Sequence, residues 1–283
     1  MRDIKRRKES VASTGQITKA MKLVSTVKLQ KAKARAESNK PYFTMLYTTM
    51  CSILAKAGTI DHRYMKENDS PRKAVIAITS NRGLAGGYNN NIVKEIVSAF
   101  SSDVTDIYAV GKKGLEGLAR KGYKIVEDYS EVMNDPLYGD AIHIGKNVLA
   151  AYENGEVGEI YLAYTSFKNT VVQEPKLIKL LPINLDEIAQ DIEPTDGLTL
   201  MNFEPEADEA LDLIIPKYMN NILYGAFVEA IASENGARMQ AMDSATKNAE
   251  DMIADLSLKY NRARQGSITQ ELTEIIAGAE AIS

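Results

Sequence analysis

Residues 1–57 read MRDIKRRKESVASTGQITKAMKLVSTVKLQKAKARAESNKPYFTMLYTTMCSILAKA, and this stretch decides the fold. From residue 3 to 57 it predicts one long helix. Gly15 is the only interior glycine, and the next glycine is Gly58. Ile17, Ala20, Met21, Val24 and Val27 recur at three and four residues, which places them on one helical face. Lys, Ser, Thr and Gln flank that stripe, which is narrow, as expected of a helix paired with a single partner. Pro41 should bend or interrupt the helix. Unbroken, it would run ~80 Å at ~1.5 Å per residue, too long for the inside of a compact domain of this size.

The same stretch is strongly basic. Residues 1–40 hold twelve Lys or Arg against three acids, a net +9, so −13 falls on the remainder of a chain whose net charge is −4. A basic helix on an acidic protein suits a solvated face, nucleic acid, anionic lipid or an acidic protein surface. No Phe, Tyr or Trp interrupts the basic residues before Tyr42, so no base-stacking platform is present there.

A polar segment, 58–72, reads as a linker. Beyond it, Ala74 to Thr79 is a short β-branched apolar run, a buried strand. A glycine-rich turn over Ser80–Asn90 leads into a helix near 91–100. A strand at Asp106–Val110, a helix through Leu115 and Leu118 and a strand near Tyr123–Val126 come next. Residues 138–153 are helical, Glu159–Tyr164 is a strand, and Asn169–Leu181 is extended but broken by Pro175. Alternation of strands and helices predicts an α/β domain over 73–182, Rossmann-like, with a mostly parallel sheet. A second linker spans 183–205.

From 206 to 283 the chain returns to helix, with a kink expected at Pro216 and local weakening at Gly225, Gly236, Gly266 and Gly278. Ala237, Ala241, Ala245 and Ala249 fall four apart, a ridge of small side chains that admits a close partner helix. Neither terminal helix can bury its apolar face alone. Both leave and re-enter the same small domain, so the expected architecture is an antiparallel coiled coil of the two ends, 1–57 and 206–283, around the central α/β domain.

Chemistry is sparse. Ser80–Asn89 lies where a dinucleotide fold puts its phosphate loop, but Gly83, Gly86 and Gly87 do not make G-x-G-x-x-G, and the turn reads instead as tight, with a close helix approach. Gly111-Lys112 fails as a P-loop because Asp106 and Lys113 stand where Gly and Ser or Thr are required. Asp186, Glu187, Asp191 and Glu193 read as solvated linker acids, and no nucleophile with a base assembles. His62 and His143 lack partners at ligand spacing, so no metal site is expected. Cys51 is the only cysteine. No apolar run reaches the ~18 residues of a membrane span. A nucleotide-binding α/β protein with helical arms and an RNA-binding coiled-coil arm remain open on these residues alone.

Four blocks narrow the choice. Ile268-Thr269-Gln270-Glu271, with Glu274 three residues on and then Gly278-Ala279, resembles the C-terminal signature of the γ chains of F-type ATP synthases. Ile17 to Val24 resembles the family's N-terminal helix, Arg82 to Gly87 its glycine turn, and Ala237 to Met242 its mid-helix block. The four stand in order and cover both helices and the domain. The resemblance implies a non-catalytic rotor shaft without a cofactor, standing in a ring of three α and three β subunits and joined to ε and the membrane c-ring. Ion flow would turn it and drive ATP synthesis or hydrolysis on β. It implies that Met21, Lys22, Arg238, Arg264, Gln265, Thr269 and Glu271 meet the ring. Ile268, Leu272, Ile275 and Ile276 would form an apolar bearing tip, and Asn202, Phe203 and Glu204 would face the c-ring and ε. It also implies a peripheral place on the cytoplasmic face of a bacterial membrane. The plastid members' regulatory cysteine pair has no counterpart here.

Overall fold

A computed structural model describes residues 1–57, 62–66, 68–183 and 207–280. Helix α1 (Arg2–Ala57) runs through Pro41 without interruption. Pro41 is exposed, so the carbonyl freed by its missing N–H can turn to water, which tempers the cost of a helical proline. The last helix, α5 (Ala207–Glu280), likewise continues through Pro216. Between them lie β1 (Lys73–Ile78), α2 (Tyr88–Ala99), β2 (Thr105–Val110), α3 (Lys112–Ala119), β3 (Lys124–Asp128), α4 (Tyr138–Glu153), β4 (Glu159–Phe167) and β5 (Gln173–Leu181).

The chain divides into two compact units, Met1–Ser25 with Arg238–Ser283, and Thr26–Ala237. The larger unit is built on a five-stranded sheet of order β3-β2-β1-β4-β5. β1 pairs in parallel with β2 and β4, and β2 in parallel with β3. This is the mixed, mostly parallel α/β sheet that alternating strands and helices require. β5 differs from expectation: it is antiparallel to β4 and passes through Pro175, which faces Thr165. An edge strand has one side free of ladder bonds, so a residue without an N–H does not break it there.

Central strand β1 is buried on both faces, which explains its unbroken apolar run. Val75 and Ala77 pack with Ile92 and Ile96 of α2 and Leu118 of α3. Ile76 and Ile78 join Ile144 and Val148 of α4 on the opposite side. The same core takes Leu211, Ile215, Met219, Leu223, Phe227 and Ala230 from α5, so the first third of that helix is a core element of this unit. In this unit α1 also meets α5, where Leu29 and Ala32 pack on Ala232.

Candidate functional site

The smaller unit is an antiparallel pair of helical segments. A Cβ on Gly15 would lie 3.3 Å from that of Ala249. The Thr18 and Thr246 hydroxyls are 2.8 Å apart, and Lys22 Nζ donates to Asp243 Oδ1 at 2.6 Å. The paired numbers sum to 264 or 265, the signature of antiparallel register. Thr18 Oγ1 also lies 3.0 Å from the Gly15 carbonyl and Thr246 Oγ1 2.8 Å from that of Met242. Two hydroxyl protons therefore serve three contacts: one threonine donates to the other, which donates to its own backbone. Lys247 reaches Asp243 as well, at 3.0 Å. Together Lys22 and Lys247 hold the Asp243 carboxyl below its usual range.

This seam is not the one expected. Gly15, Thr18, Lys22 and Ser25 follow the three-four spacing of a coiled-coil face, matched by Met242, Thr246, Ala249, Ile253 and Leu256 on α5. Ser25 is 2% exposed, whereas its neighbour Val24 is 58% exposed, and Ile17 and Leu23 also face outward. Val27, in the larger unit, is exposed too. The apolar stripe thus points away from the partner helix. Small residues won the seam because Gly15 admits the backbone of α5 at Ala249, which a β-branched residue there would prevent. Of the expected alanine ridge in this unit, only Ala249 is buried; Ala241 and Ala245 are half-buried.

The residues singled out for contact with a ring divide accordingly. Met21 and Lys22 are half-buried, and Lys22 is engaged by Asp243 within the chain. Arg238 is half-buried, while Arg264, Gln265, Thr269 and Glu271 are exposed. At the observed register Met1 stands opposite residue 263. The pair contacts named above, at Ala249, Thr246 and Asp243, all lie before Arg264 on α5. Beyond it, Ile268, Leu272, Ile275 and Ile276 are all exposed, an apolar stripe on a single helix. Asn202, Phe203 and Glu204 lie outside the described residues. Gly15, Thr18, Asp243 and Thr246 were not read as seam residues; the three-four spacing of Gly15, Thr18, Lys22 and Ser25 was the available signal, whereas the partner of Asp243 lies 221 residues away.

The other candidate region is the crevice at the C-terminal ends of β1 and β4, where strand order reverses and doubly wound folds take ligands. Here it is filled from within. The Tyr88 hydroxyl donates to the Ala230 carbonyl at 3.2 Å, and Ser233 Oγ donates to the Thr165 carbonyl at 3.0 Å, so α5 covers the crevice. The N–H groups that open α3 are also occupied. Lys112 N donates to Asn81 Oδ1, Lys113 N to the Ser80 carbonyl and Gly114 N to Thr79 Oγ1, at 2.8–3.0 Å. None of these three donors is left for a phosphate.

The glycine turn itself is tight, with Gly86 at φ 56° and Leu84, exposed, at φ 63°. At this turn a Cβ on Gly87 would lie 3.3 Å from Asn91 Oδ1 of α2, and a still closer approach occurs at Gly111. Nothing lies near a Cβ on Gly83 or Gly86, while a Cβ on Gly111 would fall 2.2 Å from the Thr79 carbonyl oxygen.

His62 is buried, contacting Asp212 of α5 at 3.0 Å, and Arg63 Nε donates to the same carboxylate at 2.9 Å. The Tyr64 hydroxyl donates to Glu153 of α4. Burial first, and the Glu153 carboxylate second, push the Tyr64 phenol well above its usual range. These contacts brace residues 62–64 against two helices and compose no catalytic set. Among the described residues no group of three or more His, Cys, Asp or Glu is placed to hold a metal ion. No described helix is long and apolar enough to cross a membrane.

A family model described as ATP synthase matches residues 1–282. The ATP synthase gamma chain of Lachnoclostridium phytofermentans is 67% identical, with 100% of this chain and 99% of that one covered. The sodium ion specific ATP synthase gamma chain of Acetobacterium woodii is 38% identical, covering 100% of this chain and 99% of its own. Among solved structures, a chain of the Euglena gracilis mitochondrial ATP synthase, OSCP/F1/c-ring, in rotational state 3, superposes with a TM-score of 0.68 at 19% identity, over 99% of this chain and 94% of that one. At that identity it speaks for the fold.

Proposed function

The chain belongs to the ATP synthase γ-chain family and is a non-catalytic central-stalk subunit of that complex, and we propose that its smaller unit turns inside a ring of three α and three β subunits. The carrying observation is the helix pair itself, with a polar seam, an outward apolar stripe and an exposed apolar end. A β subunit responds to a turning shaft only if different faces of the shaft interact with it differently. This pair offers such faces: Ile17, Leu23 and Val24 form an apolar stripe, flanked by exposed Lys19.

Met21, Arg238, Arg264, Gln265, Thr269 and Glu271 are proposed to meet β. Arg264 and Gln265 are exposed and ready for polar bonds. Arginine's planar fork suits acidic loops of the kind the family's β subunits present. Lys22 takes part indirectly, because its ammonium is spent on Asp243. Ile268, Leu272, Ile275 and Ile276 seat in an apolar sleeve, a non-directional contact that resists turning less than fixed hydrogen bonds would. The larger unit joins ε and the c-ring, with Asn202, Phe203 and Glu204 toward them. Ion flow through the c-ring then turns the shaft and drives ATP synthesis, or ATP hydrolysis drives it in reverse. The complex stands at the cytoplasmic face of a bacterial membrane, with this chain as a peripheral component.

Affinity purification through a tag on this chain tests the assignment. Subunits α and β should come down with it in a 3:3:1 ratio, together with ε and, from membranes, the c-ring. Recovery of the chain without α and β would end the proposal.

A further inference from the structure

Four consecutive seam positions of α1 in the smaller unit, Gly15, Thr18, Lys22 and Ser25, carry no large apolar side chain. Apolar packing is non-directional, and between such small groups it scarcely distinguishes one axial setting of the helices from another. Polar pairs do distinguish them, since a polar group at a seam position is satisfied only opposite a suitable partner. We propose that Asp243, acting on Lys22 together with the Thr18–Thr246 pair, is the register key of this helix pair and so sets how far the apolar end of α5 extends past the start of α1.

The alternatives fail one by one. Shifting α5 by four residues in one direction puts Lys22 opposite Lys247, two like charges. Shifting it by a heptad in that direction puts Lys22 opposite Glu250, another acid, but leaves the Thr18 hydroxyl facing Ile253 and forces Leu256 onto Gly15. A heptad in the other direction faces Lys22 with Gly236 and Thr18 with Met239. Only the observed setting gives Lys22 a carboxylate, Thr18 a hydroxyl and Gly15 a small neighbour at once. A slip of one heptad would displace Ile268, Leu272, Ile275 and Ile276 by ~10 Å along the pair. If those residues seat in a sleeve, as proposed above, such a displacement unseats them; the register claim itself does not depend on that reading. Asp243 is a positioning residue here, and it touches no nucleotide site.

Disulfide trapping in the purified full chain, in a Cys51→Ser background, reads register directly. Gly15→Cys with Ala249→Cys should oxidise readily, because their Cβ positions are close to the ~3.5–4.5 Å of a disulfide. Gly15→Cys with Leu256→Cys, one heptad away, should not. Adding Asp243→Lys, which sets three ammonium groups together, should slow the first cross-link at least threefold and let the second appear. Lys22→Asp combined with Asp243→Lys should restore the original pattern. An undiminished first cross-link in Asp243→Lys, or failure of the swap to restore it, overturns the proposal. If Asp243→Lys loses helical circular dichroism, Asp243→Asn, of the same shape, decides: a slower first cross-link supports the key, and an unchanged one refutes it. The readout requires no ATP turnover, so it stands or falls separately from the stalk assignment.

Discussion

Removing residues 275–283 tests the bearing end of α5. Ile275 and Ile276 are 68% and 59% exposed. Fully burying an isoleucine stabilises by about 1.5–3 kcal/mol, so covering the exposed part of both is worth about 3 kcal/mol. At ~1.4 kcal/mol per tenfold, the truncated tip should hold its sleeve about a hundredfold more weakly. Ile268 and Leu272 remain, as do the contacts of the larger unit, so the complex should still assemble. The deleted side chains that are described are exposed, so the thermal unfolding of the free subunit should scarcely move. Rotation of an attached probe against viscous drag should continue at reduced torque. Ile275→Ser with Ile276→Ser should reproduce most of the loss, since it removes apolar area without shortening the helix. Complete failure of the truncated chain to assemble, or full torque from the double serine variant, would refute the reasoning.

Arg264→Ala should lower ATPase turnover of the assembled complex while β still binds nucleotide, and because Arg264 is exposed the free chain's stability should stay within ~0.5 kcal/mol; unchanged turnover removes Arg264 from the functional set. Asp106, whose side chain is 8% exposed, is bound by Arg72 and Lys124. Burial alone would raise its pKa, but those bonds outweigh it and hold the carboxyl below its usual value. Its contribution is therefore present above the unfolded carboxylate's ~3.9 and lost as pH falls through the lower folded value. Asp106→Asn should cost about 1.5–3 kcal/mol in urea unfolding at pH 7 and flatten the acid limb of the stability profile. Gly111→Ala combines a φ of 121° with a Cβ 2.2 Å from the Thr79 carbonyl oxygen. It should destabilise the larger unit by about 3 kcal/mol or more, and a loss under ~1 kcal/mol in the same assay would contradict the geometry.

The order of elements was legible because helix and strand signals are local. The glycine-poor basic stretch read as one helix, and Ala74 to Thr79 read as a buried strand. The failed glycine spacings at 83–87 and 111–112 spoke against phosphate binding before α5 was seen in the crevice. The identity rested on Ile268 to Glu271 and the three other blocks, whose order no local propensity dictates. Pro175 was misread because whether a proline breaks a strand depends on the strand's place in the sheet. Asp243 was overlooked because a lone acid on a helix carries no sign of the lysine, more than two hundred residues away, that it holds.

What the sequence alone determined was that two long helices flank an α/β domain and that each needs a companion. Only the tertiary structure decided which faces meet. Ile17 and Val24 made the stronger apolar period, yet the seam went to Gly15, Thr18, Lys22 and Ser25. Periodicity reports where apolar groups lie on one helix. Seam choice depends on how closely a second backbone can approach and on what that second helix presents, which is a property of the pair and absent from either strand of text.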